Sequence, residues 1–330
     1  MSTTRTTTIT TRKKKIYLMI ILILSIILAT CFFVFQKDKV NVVNDKESDY
    51  HTYTYQGKTY RYNADIVSLL FLGIDTTDTS ENQGQSDAIE LVLLDRENET
   101  IKLLTIPRDT MTDIKTYDYS GKLLGWSNDH ITLAYAYGTD SASGCMNSAD
   151  AISRMLNNVP VNYYSAMNLS DLKEFQSIVG ELEVVVPNDS ASAINPSWTT
   201  GSTITINEDN VESYVRKRDT DEDFSAYDRV ERQESYLKAY IAKLKEILNS
   251  DFDNAIDSLE KLFSGLYTNI STMDLIDYAN MLISYQFDTN TDIFHIPGEN
   301  KRGKVYDEYI IDNSALEEMI VKLFYEERGA

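Results

Sequence analysis

The amino-acid sequence predicts an α/β (α+β layered) domain, in which a central mixed β-sheet is flanked by helices, preceded by one N-terminal transmembrane helix. Residues 66–75, IVSLLFLGID, form a nearly continuous apolar run, which is typical of a strand buried on both faces. The apolar segments 88–95 and 100–106 flank a short polar turn and indicate a hairpin. Leucine, tyrosine and isoleucine recur at helical spacing between residues 237 and 248. Because strand and helix patterns alternate along the chain, we expect helices to cover a mixed sheet.

Residues 16–35, IYLMIILILSIILATCFFVF, are predicted to cross the membrane as a signal anchor. This run contains twenty residues without a charge, glycine or proline, and a helix of that length spans roughly the 30 Å of a bilayer core. A cleaved signal peptide is one alternative, but its apolar region has only about 7 to 15 residues. A lipoprotein acylation box is another, because LATC ends at Cys31, yet the apolar run continues beyond this cysteine.

The charges on either side of the anchor predict its orientation. Four basic residues, 12–15, precede it, whereas residues 37–39 contribute two lysines and one aspartate. Positive charge resists crossing the membrane. We therefore expect residues 1–15 to form a cytoplasmic tail and the remainder of a single-pass cell-membrane protein to be extracellular.

Two extracellular parts are expected after the anchor. Residues 36–64 are polar and aromatic without helical periodicity, so they are predicted to form a stalk with one hairpin at the QGK sequence, 56–58. The domain is predicted to occupy residues 65–330. Its further elements are a helix near 147–157, a strand around 163–167, a helix from Ser170 or Asp171 to Val179, a strand at 182–186, a long amphipathic helix through 237–248, a helix at 271–283, a strand within 291–296 and a helix at 313–327.

The charge balance restricts the partners of the extracellular part. Residues 41–330 carry 24 basic and 50 acidic side chains, a net charge of −26, although the whole chain has −20. Nucleic-acid binding requires a basic surface, so a nucleic-acid partner is not expected. Cys145 is the only cysteine after the anchor, which excludes an intramolecular disulfide in the domain.

Carboxylates at the ends of two predicted strands suggest a cation site. Asp75 ends the buried strand, and Asp87 lies twelve residues later, just before the next strand. A loop between adjacent strands can bring both carboxylates into one cleft. Few carboxylates and several waters suit Mg²⁺. The alternative is that both aspartates only cap or turn the chain.

Arginines are concentrated at two places in this acidic chain. Arg108 and Asp109 follow directly after a predicted strand, a usual position for ligand residues in α/β proteins. In RKRDTDEDFSAYDRVERQ, 216–233, an extended RKR would place Arg216 and Arg218 on the same face. On the helix that follows, Arg229, Arg232 and Gln233 share a face. An anion-binding site and a solvated charge run are both compatible with each segment alone.

Taken in order, these segments resemble the blocks of the LytR-CpsA-Psr family. The matching blocks between residues 66 and 248 are FLGID…QSDAIELVLLD, LLTIPRDT, HITLAYAYG, NYYSAMNLSDLKEFQSIVG, VVVP and YVRKRDTDEDFSAYDRVERQ. The resemblance implies a phosphotransferase that takes a glycopolymer from a polyprenyl-pyrophosphate carrier and attaches it to peptidoglycan through a phosphodiester bond. Teichoic acid, capsule or another secondary polysaccharide remains open as the polymer. A membrane-anchored extracellular catalytic domain is also implied.

The resemblance assigns expected roles to individual residues. It implies Mg²⁺, or Mn²⁺ in its place, at Asp75 and Asp87. It implies catalytic roles for Arg108, Asp109, Arg216 and Arg218, and pyrophosphate binding by Arg108, Arg216, Arg218, Arg229 and Gln233. Asp109 and Asp219 both remain candidates for the general base.

Some residues depart from the family pattern and leave another function open. Gln85 stands where the family usually has arginine, Glu181 replaces a glycine, and Ala226 replaces an acidic residue. A weakened phosphate clamp, meaning the set Arg108, Arg216, Arg218, Arg229 and Gln233, would favour a non-catalytic module that binds polyprenyl phosphate or wall polysaccharide. The three histidines have no zinc-ligand spacing, and no GxSxG motif is present. The −26 charge argues against a transcriptional regulator.

Overall fold

The computed structural model describes residues 52–76, 84–218 and 225–327. The predicted tail and anchor, residues 1–35, lie outside these ranges. Within them, no helix combines the length and apolar character needed to cross a membrane.

A six-stranded mixed sheet forms the centre of the domain, as the sequence predicts, with the strand order β11-β8-β3-β4-β5-β12. The β3–β4 and β4–β5 pairs are antiparallel, whereas β8 runs parallel to β3 and β12 runs parallel to β5. Its strands are β3 (Ile66–Ile74), β4 (Ser86–Asp95), β5 (Thr100–Thr105), β8 (Tyr163–Asn168), β11 (Tyr267–Thr268) and β12 (Ile293–His295).

The remaining strands form smaller sheets around this centre. They are β1 (Thr52–Tyr55), β2 (Lys58–Tyr62), β6 (Met111–Tyr117), β7 (Leu123–His130), β9 (Leu182–Val185), β10 (Thr203–Ile206), β13 (Gly298–Arg302), β14 (Asp307–Ile311) and β15 (Tyr325–Glu327).

Helices cover both faces of the central sheet. Serine and aspartate begin several of them, because their side chains accept hydrogen bonds from free N–H groups of the first turn; Asp140, Ser271 and Asp312 have this role. The helices are α1 (Leu133–Ala136), α2 (Ser141–Met155), α3 (Leu172–Val179), α4 (Val211–Arg216), α5 (Ser225–Ser250), α6 (Phe252–Gly265), α7 (Thr272–Ser284) and α8 (Asn313–Phe324).

Side-chain alternation gives the sheet two different faces. On one face, Leu70 and Leu72 of β3 and Leu91 of β4 join the main core, which α2 and α8 complete. Phe71 of β3 and Val92 of β4 point to the opposite face, where residues of α5, α6 and α7 also lie. The continuous apolar run in β3 is explained by burial on both faces.

The predicted hairpin at residues 56–58 is present, but it belongs to the domain and not to a stalk. Gln56 and Gly57 have φ angles of 48° and 78°, as the turn of a tight two-residue hairpin requires. Strand β2 pairs with the C-terminal strand β15, and Tyr62 packs edge-on against Tyr325 with ring centroids 5.9 Å apart. The predicted stalk boundary at residue 64 is therefore wrong for the described residues from 52 onward, because their pairing partner lies at the other end of the chain.

Two predicted helix boundaries also differ. Helix α2 begins at Ser141, six residues before the predicted start, because Asp140 and Ser143 form a capping box there. Helix α8 ends at Phe324, and residues 325–327 form β15 instead of a last helical turn.

Candidate functional site

Two arginines hold Asp87 at one edge of the central sheet. Asp87 lies at the beginning of β4, and Arg108 follows the end of its antiparallel neighbour β5, so both residues lie at the same edge. Arg108 Nη1 contacts Asp87 Oδ1. Arg229, from the first turns of α5, donates from Nη1 to Asp87 Oδ2 at 2.9 Å. The carboxylate therefore joins the sheet edge to α5.

Arg229 is buried, and the described residues satisfy only part of its guanidinium group. Its side chain is 3% exposed, and among the described residues its Nε and Nη2 atoms have no hydrogen-bond acceptor. Burial lowers the pKa of Arg229, while Asp109 and Asp75 oppose this shift. Leaving a buried polar group unsatisfied costs about 1 to 3 kcal/mol, and more for a charged group. These donors favour an anionic ligand at this position.

Gln85 positions Arg108. Its side-chain Oε1 accepts a hydrogen bond from Arg108 Nη2 at 2.8 Å, and Arg108 Nε lies 3.3 Å from Asp109 Oδ1. Burial lowers the pKa of Arg108 most, Asp109 raises it, and the nearby positive charge of Arg229 lowers it further. The amide at position 85 therefore fixes the orientation of the guanidinium group without adding charge.

Asp75 is fixed by the residues that close the loop after β3. Its Oδ1 accepts a hydrogen bond from the Gln85 backbone N–H at 2.7 Å, and its own N–H donates to the Gln85 carbonyl at 3.0 Å. Asp75 and Asp87 line the same end of one cavity, so the structure brings the two predicted cation ligands together. Within residues 52–76, 84–218 and 225–327, no group of three or more acidic, cysteine or histidine side chains forms a metal-binding cluster.

Arg216 and Arg218 do not form the extended pair that the sequence suggests. Arg216 ends helix α4 and is exposed, with its Nη1 3.1 Å from Glu212 Oε1 one turn earlier. Lys217 is the first extended residue, with φ −63° and ψ 139°. Arg218 is half-buried, and its Nη1 donates to Ser225 Oγ at 3.0 Å. The helix continues to Arg216 because α4 packs on α5, a contact that the charge pattern does not reveal.

Arg232 stabilises the segment 214–217 through hydrogen bonds to its backbone carbonyls, a role that the sequence pattern did not reveal. The side chain is fully buried and donates to the carbonyls of Tyr214 and Lys217 and to Ser190 Oγ. Gln233 Nε2 donates to the carbonyl of Val215 at 3.0 Å. The i, i+3 spacing indicated a face shared with Arg229, but it could not show that Arg232 binds backbone carbonyls and not a ligand.

A cavity of about 400 Å³ lies between the sheet and helices α5 to α7. Asp75, Asp87, Arg216 and Gln233 lie at its polar end. Most of the remaining wall is apolar, with Phe71, Val92, Leu103, Met167, Phe175, Leu237, Leu244, Leu262, Phe263, Leu275 and Leu282 among its residues. Such a cavity can enclose a hydrocarbon chain whose anionic end lies beside the arginines.

A row of polar side chains crosses the sheet on the cavity side. Thr105 Oγ1 donates to Glu90 Oε2 at 2.8 Å, and Glu90, Thr105 and His295 lie on the adjacent strands β4, β5 and β12. His295 Nε2 lies 3.0 Å from Glu234 Oε2 on α5, and Lys238 contacts the other oxygen of Glu234 at 2.6 Å. Burial raises the pKa of Glu90 to about 7. The row connects the edge strand β12 to α5.

Asp109 adjoins the C-terminal hairpin β13–β14. Its carbonyl accepts a hydrogen bond from the Tyr309 N–H at 2.8 Å, and its carboxylate faces Arg108. The other candidate base, Asp219, lies outside the described residues. The structure therefore places Asp75, Asp87, Arg108, Asp109 and Arg229 around one site, with Arg216 and Gln233 at the cavity end.

Comparisons with known proteins agree with this architecture. The polyisoprenyl-teichoic acid–peptidoglycan teichoic acid transferase TagU of Bacillus mycoides is 28% identical over 243 residues, which cover 72% of this chain and 70% of that protein. The crystal structure of B. subtilis TagV has a TM-score of 0.63 at 25% identity and covers 78% of this chain and 96% of that chain. A structure of TagT bound to LIIa-WTA has a TM-score of 0.59 at 26% identity and covers 79% and 90% of the two chains.

The family is shown by a match over most of the chain. The sequence model of the LytR_cpsA_psr family aligns with residues 30–324, a range that includes every residue of the site described above. This protein therefore belongs to the LytR_cpsA_psr family.

Proposed function

We propose that this protein transfers a cell-wall glycopolymer from a polyprenyl-pyrophosphate carrier to peptidoglycan through a phosphodiester bond. The observation that carries this proposal is the buried Arg229 guanidinium, whose Nε and Nη2 have no acceptor among the described residues, beside the polar end of an apolar cavity. The names of the relatives support it, because TagU is named as a teichoic acid transferase and TagT was solved bound to LIIa-WTA.

The arginine cluster suits a pyrophosphate. Burial lowers the pKa of Arg108 and of Arg218 most, the charges of Arg229 and Arg218 lower that of Arg108 further, and the charge of Arg229 lowers that of Arg218. An anion between these arginines would relieve this repulsion and could accept hydrogen bonds from Arg229 Nε and Nη2, which have no acceptor among the described residues. A pyrophosphate carries about three negative charges, and planar guanidinium groups bind phosphate oxygens in pairs. Asp75, Asp87 and Asp109 keep the cluster close to neutral overall when no ligand is bound.

The apolar cavity suits the polyprenyl chain of the carrier. It extends from Asp75 and Asp87 to Leu275 and Leu282 of α7, so a chain bound there would place its pyrophosphate at the arginines. We propose that the anchor at 16–35 keeps this domain at the extracellular surface of the cell membrane, where such carriers reside.

The reaction is a substitution at phosphorus. An acceptor hydroxyl of peptidoglycan attacks the phosphorus bonded to the glycopolymer, and the P–O bond to the lipid phosphate breaks. Polyprenyl monophosphate leaves, and the hydroxyl proton passes to a carboxylate, for which Asp109 and Asp219 are the two candidates. Arg108 and Arg229 stabilise the charge that develops on the phosphate oxygens.

We further propose that Asp75 and Asp87 hold Mg²⁺, or Mn²⁺, together with pyrophosphate oxygens. Mg²⁺ usually takes one or two carboxylates and completes its shell with water and phosphate. Each carboxylate oxygen has two lone pairs, so Asp87 can contact its arginines and still accept a cation. When bound, the cation would withdraw charge from the phosphate oxygens.

A non-catalytic binding module is the second candidate, and Gln85 is the residue that favours it. Replacing the usual arginine removes one positive charge from the clamp. However, Gln85 Oε1 accepts a hydrogen bond from Arg108, so the position still contributes to the clamp. The enzyme and the module differ in whether bound carrier is consumed.

The proposal predicts transfer by the full-length protein in detergent micelles. Lipid-linked glycopolymer and peptidoglycan should give a phosphodiester-linked product and free polyprenyl monophosphate. Arg229→Lys should slow this reaction roughly ten- to a hundredfold, because one ammonium cannot replace a charge-assisted guanidinium contact. Excess chelator should also stop it.

Arg154→Lys provides the matched control, because Arg154 is an exposed arginine on α2 that pairs with Asp113. Equal thermal stability of the two variants would show that a slower transfer by Arg229→Lys is not caused by unfolding. Carrier binding without any product favours the binding module, and wild-type rates for Arg229→Lys exclude the proposed clamp. Undiminished activity in chelator removes the metal from the mechanism.

A further inference from the structure

The candidate site has a second side, formed by Asp109 and Arg218. Asp75, Asp87, Arg216 and Gln233 line the cavity, whereas Asp109 and Arg218 are not among the described residues of its wall. In phosphoryl transfer the attacking and leaving oxygens lie roughly in line with phosphorus. If the leaving lipid phosphate is on the cavity side, the attacking hydroxyl must approach from the side of Asp109 and Arg218.

The hairpin β13–β14 is attached to this second side. The N–H of Tyr309 donates to the carbonyl of Asp109 at 2.8 Å. His130 Nε2 lies 2.9 Å from the carbonyl oxygen of Asp307. Burial lowers the pKa of Arg218 most, and the carboxylates of Asp109 and Asp307 both oppose that shift. Asp307 therefore lies near enough to act on Arg218, and the turn of the hairpin is adjacent to the clamp.

This turn carries an exposed aromatic side chain in a defined position. Tyr306 is 68% exposed, and the preceding Val305 is 69% exposed. The Tyr306 ring contacts His130 in an edge-on arrangement, with ring centroids 6.4 Å apart and an interplanar angle of 85°. One contact thus orients the tyrosine, while most of its surface remains open to a ligand.

An open tyrosine beside carboxylates suits a sugar chain. An aromatic face packs against the C–H surface of a pyranose ring, and the phenol and carboxylates hydrogen-bond to its hydroxyl and amide groups. A lipid would fit this surface poorly, because Arg302 Nη1 donates to Asp307 Oδ1 at 2.7 Å and Lys301 and Lys304 lie in the same hairpin, so the turn carries charged groups of both signs.

We propose that Tyr306, with Asp109 and Asp307, forms the binding site for the amino-sugar chain that accepts the glycopolymer. This inference rests on the proposed function. Tyr306 positions a sugar ring so that its hydroxyl reaches the phosphorus from the side opposite the cavity. The hydroxyl oxygen bonds to phosphorus, its proton passes to Asp109, and the bond to the lipid phosphate breaks.

The test varies the acceptor at saturating lipid-linked donor, using the full-length protein and a soluble tetrasaccharide of N-acetylglucosamine and N-acetylmuramic acid. Tyr306→Ala should raise the acceptor KM about two- to tenfold, the range expected for loss of an aromatic contact. Tyr306→Phe should keep most of the affinity. Tyr119→Ala is the control, because Tyr119 is fully exposed in the turn between β6 and β7.

A separate measurement of polyprenyl monophosphate binding distinguishes the two proposals. Unchanged lipid binding in all variants, together with the raised acceptor KM, supports the sugar site. An acceptor KM that is unchanged in Tyr306→Ala, or changed equally in Tyr119→Ala, overturns it while leaving the transferase proposal intact. Failure of the wild-type protein to bind the lipid contradicts the proposed function itself.

Discussion

At the scale of single residues, burial separates the arginines into different roles. Arg229 is buried and two of its donors have no acceptor in the part of the chain that the structure describes, whereas Arg232 is buried with its donors directed to carbonyls and a hydroxyl. Both lie on α5 three residues apart, so the sequence predicted a common face. The sequence could not distinguish a ligand-binding arginine from a structural one, because that difference depends on whether α4 fills the space beside the guanidinium group.

The half-buried Arg218 provides a residue-scale prediction. Arg218→Lys should lower the transfer rate roughly tenfold, because a charge-assisted contact to phosphate is weakened and one ammonium cannot donate in the planar guanidinium pattern. Lys217→Ala should have little effect, since Lys217 supports the fold through its carbonyl oxygen, which the substitution preserves. Transfer rates of the two purified variants check this, and a Lys217→Ala defect as large as that of Arg218→Lys would contradict it.

At the scale of elements, the central strands were predictable and the peripheral hairpins were not. β3, β4 and β5 carry long apolar runs because the sheet is covered on both faces. β7 and β13 are mostly exposed strands, so their sequences show no continuous apolar pattern. The predicted hairpin at 56–58 was correct, but its pairing with β15 joins distant segments and leaves no local signal.

The contact between Glu234 on α5 and His295 on β12 provides a pH-dependent prediction. The hydrogen bond to Glu234 raises the pKa of His295, and the bond from His295 lowers the pKa of Glu234 to about 2. The raised pKa of His295 contributes stability that is fully present below the unfolded pKa of about 6.5. This stability is lost as the pH rises above the pKa of His295 in the folded protein. The lowered pKa of Glu234 contributes stability that is present above about pH 4.5 and is lost as the pH falls toward 2. The Glu234–His295 pair should therefore stabilise the fold most between about pH 4.5 and pH 6.5.

Thermal unfolding of His295→Gln across this range checks the prediction. The loss in Tm relative to wild type should be largest near pH 5.5 and should shrink as the pH rises past the His295 pKa. Lys243→Gln is the control, because it removes an exposed ion pair with Glu246 on the same helix. A Tm difference for His295→Gln that stays constant from pH 5 to 9 would exclude the charged pair.

At the scale of the whole molecule, the domain places an apolar cavity and a charged clamp end to end. The resemblance to the family named Asp75, Asp87, Arg108, Asp109 and Arg229 from the sequence, and the structure places them around one site, while their roles stay predictions. It did not predict the cavity, because Phe71, Leu237 and Leu275 have the same character as residues of an ordinary core. Only the arrangement of α5, α6 and α7 over the sheet shows that these side chains surround open space.

The central claim is that the lipid and its pyrophosphate bind together in this cavity and clamp. Calorimetric titration of the full-length protein in micelles, with polyprenyl pyrophosphate and with the alcohol of the same chain length, tests it most directly. We expect the pyrophosphate to bind at least about tenfold more tightly than the alcohol, since charge-assisted contacts add to hydrocarbon burial. This difference should largely disappear in Arg229→Gln and persist in Arg154→Gln. Equal affinity of the wild-type protein for both lipids, or an undiminished preference in Arg229→Gln, would contradict the account.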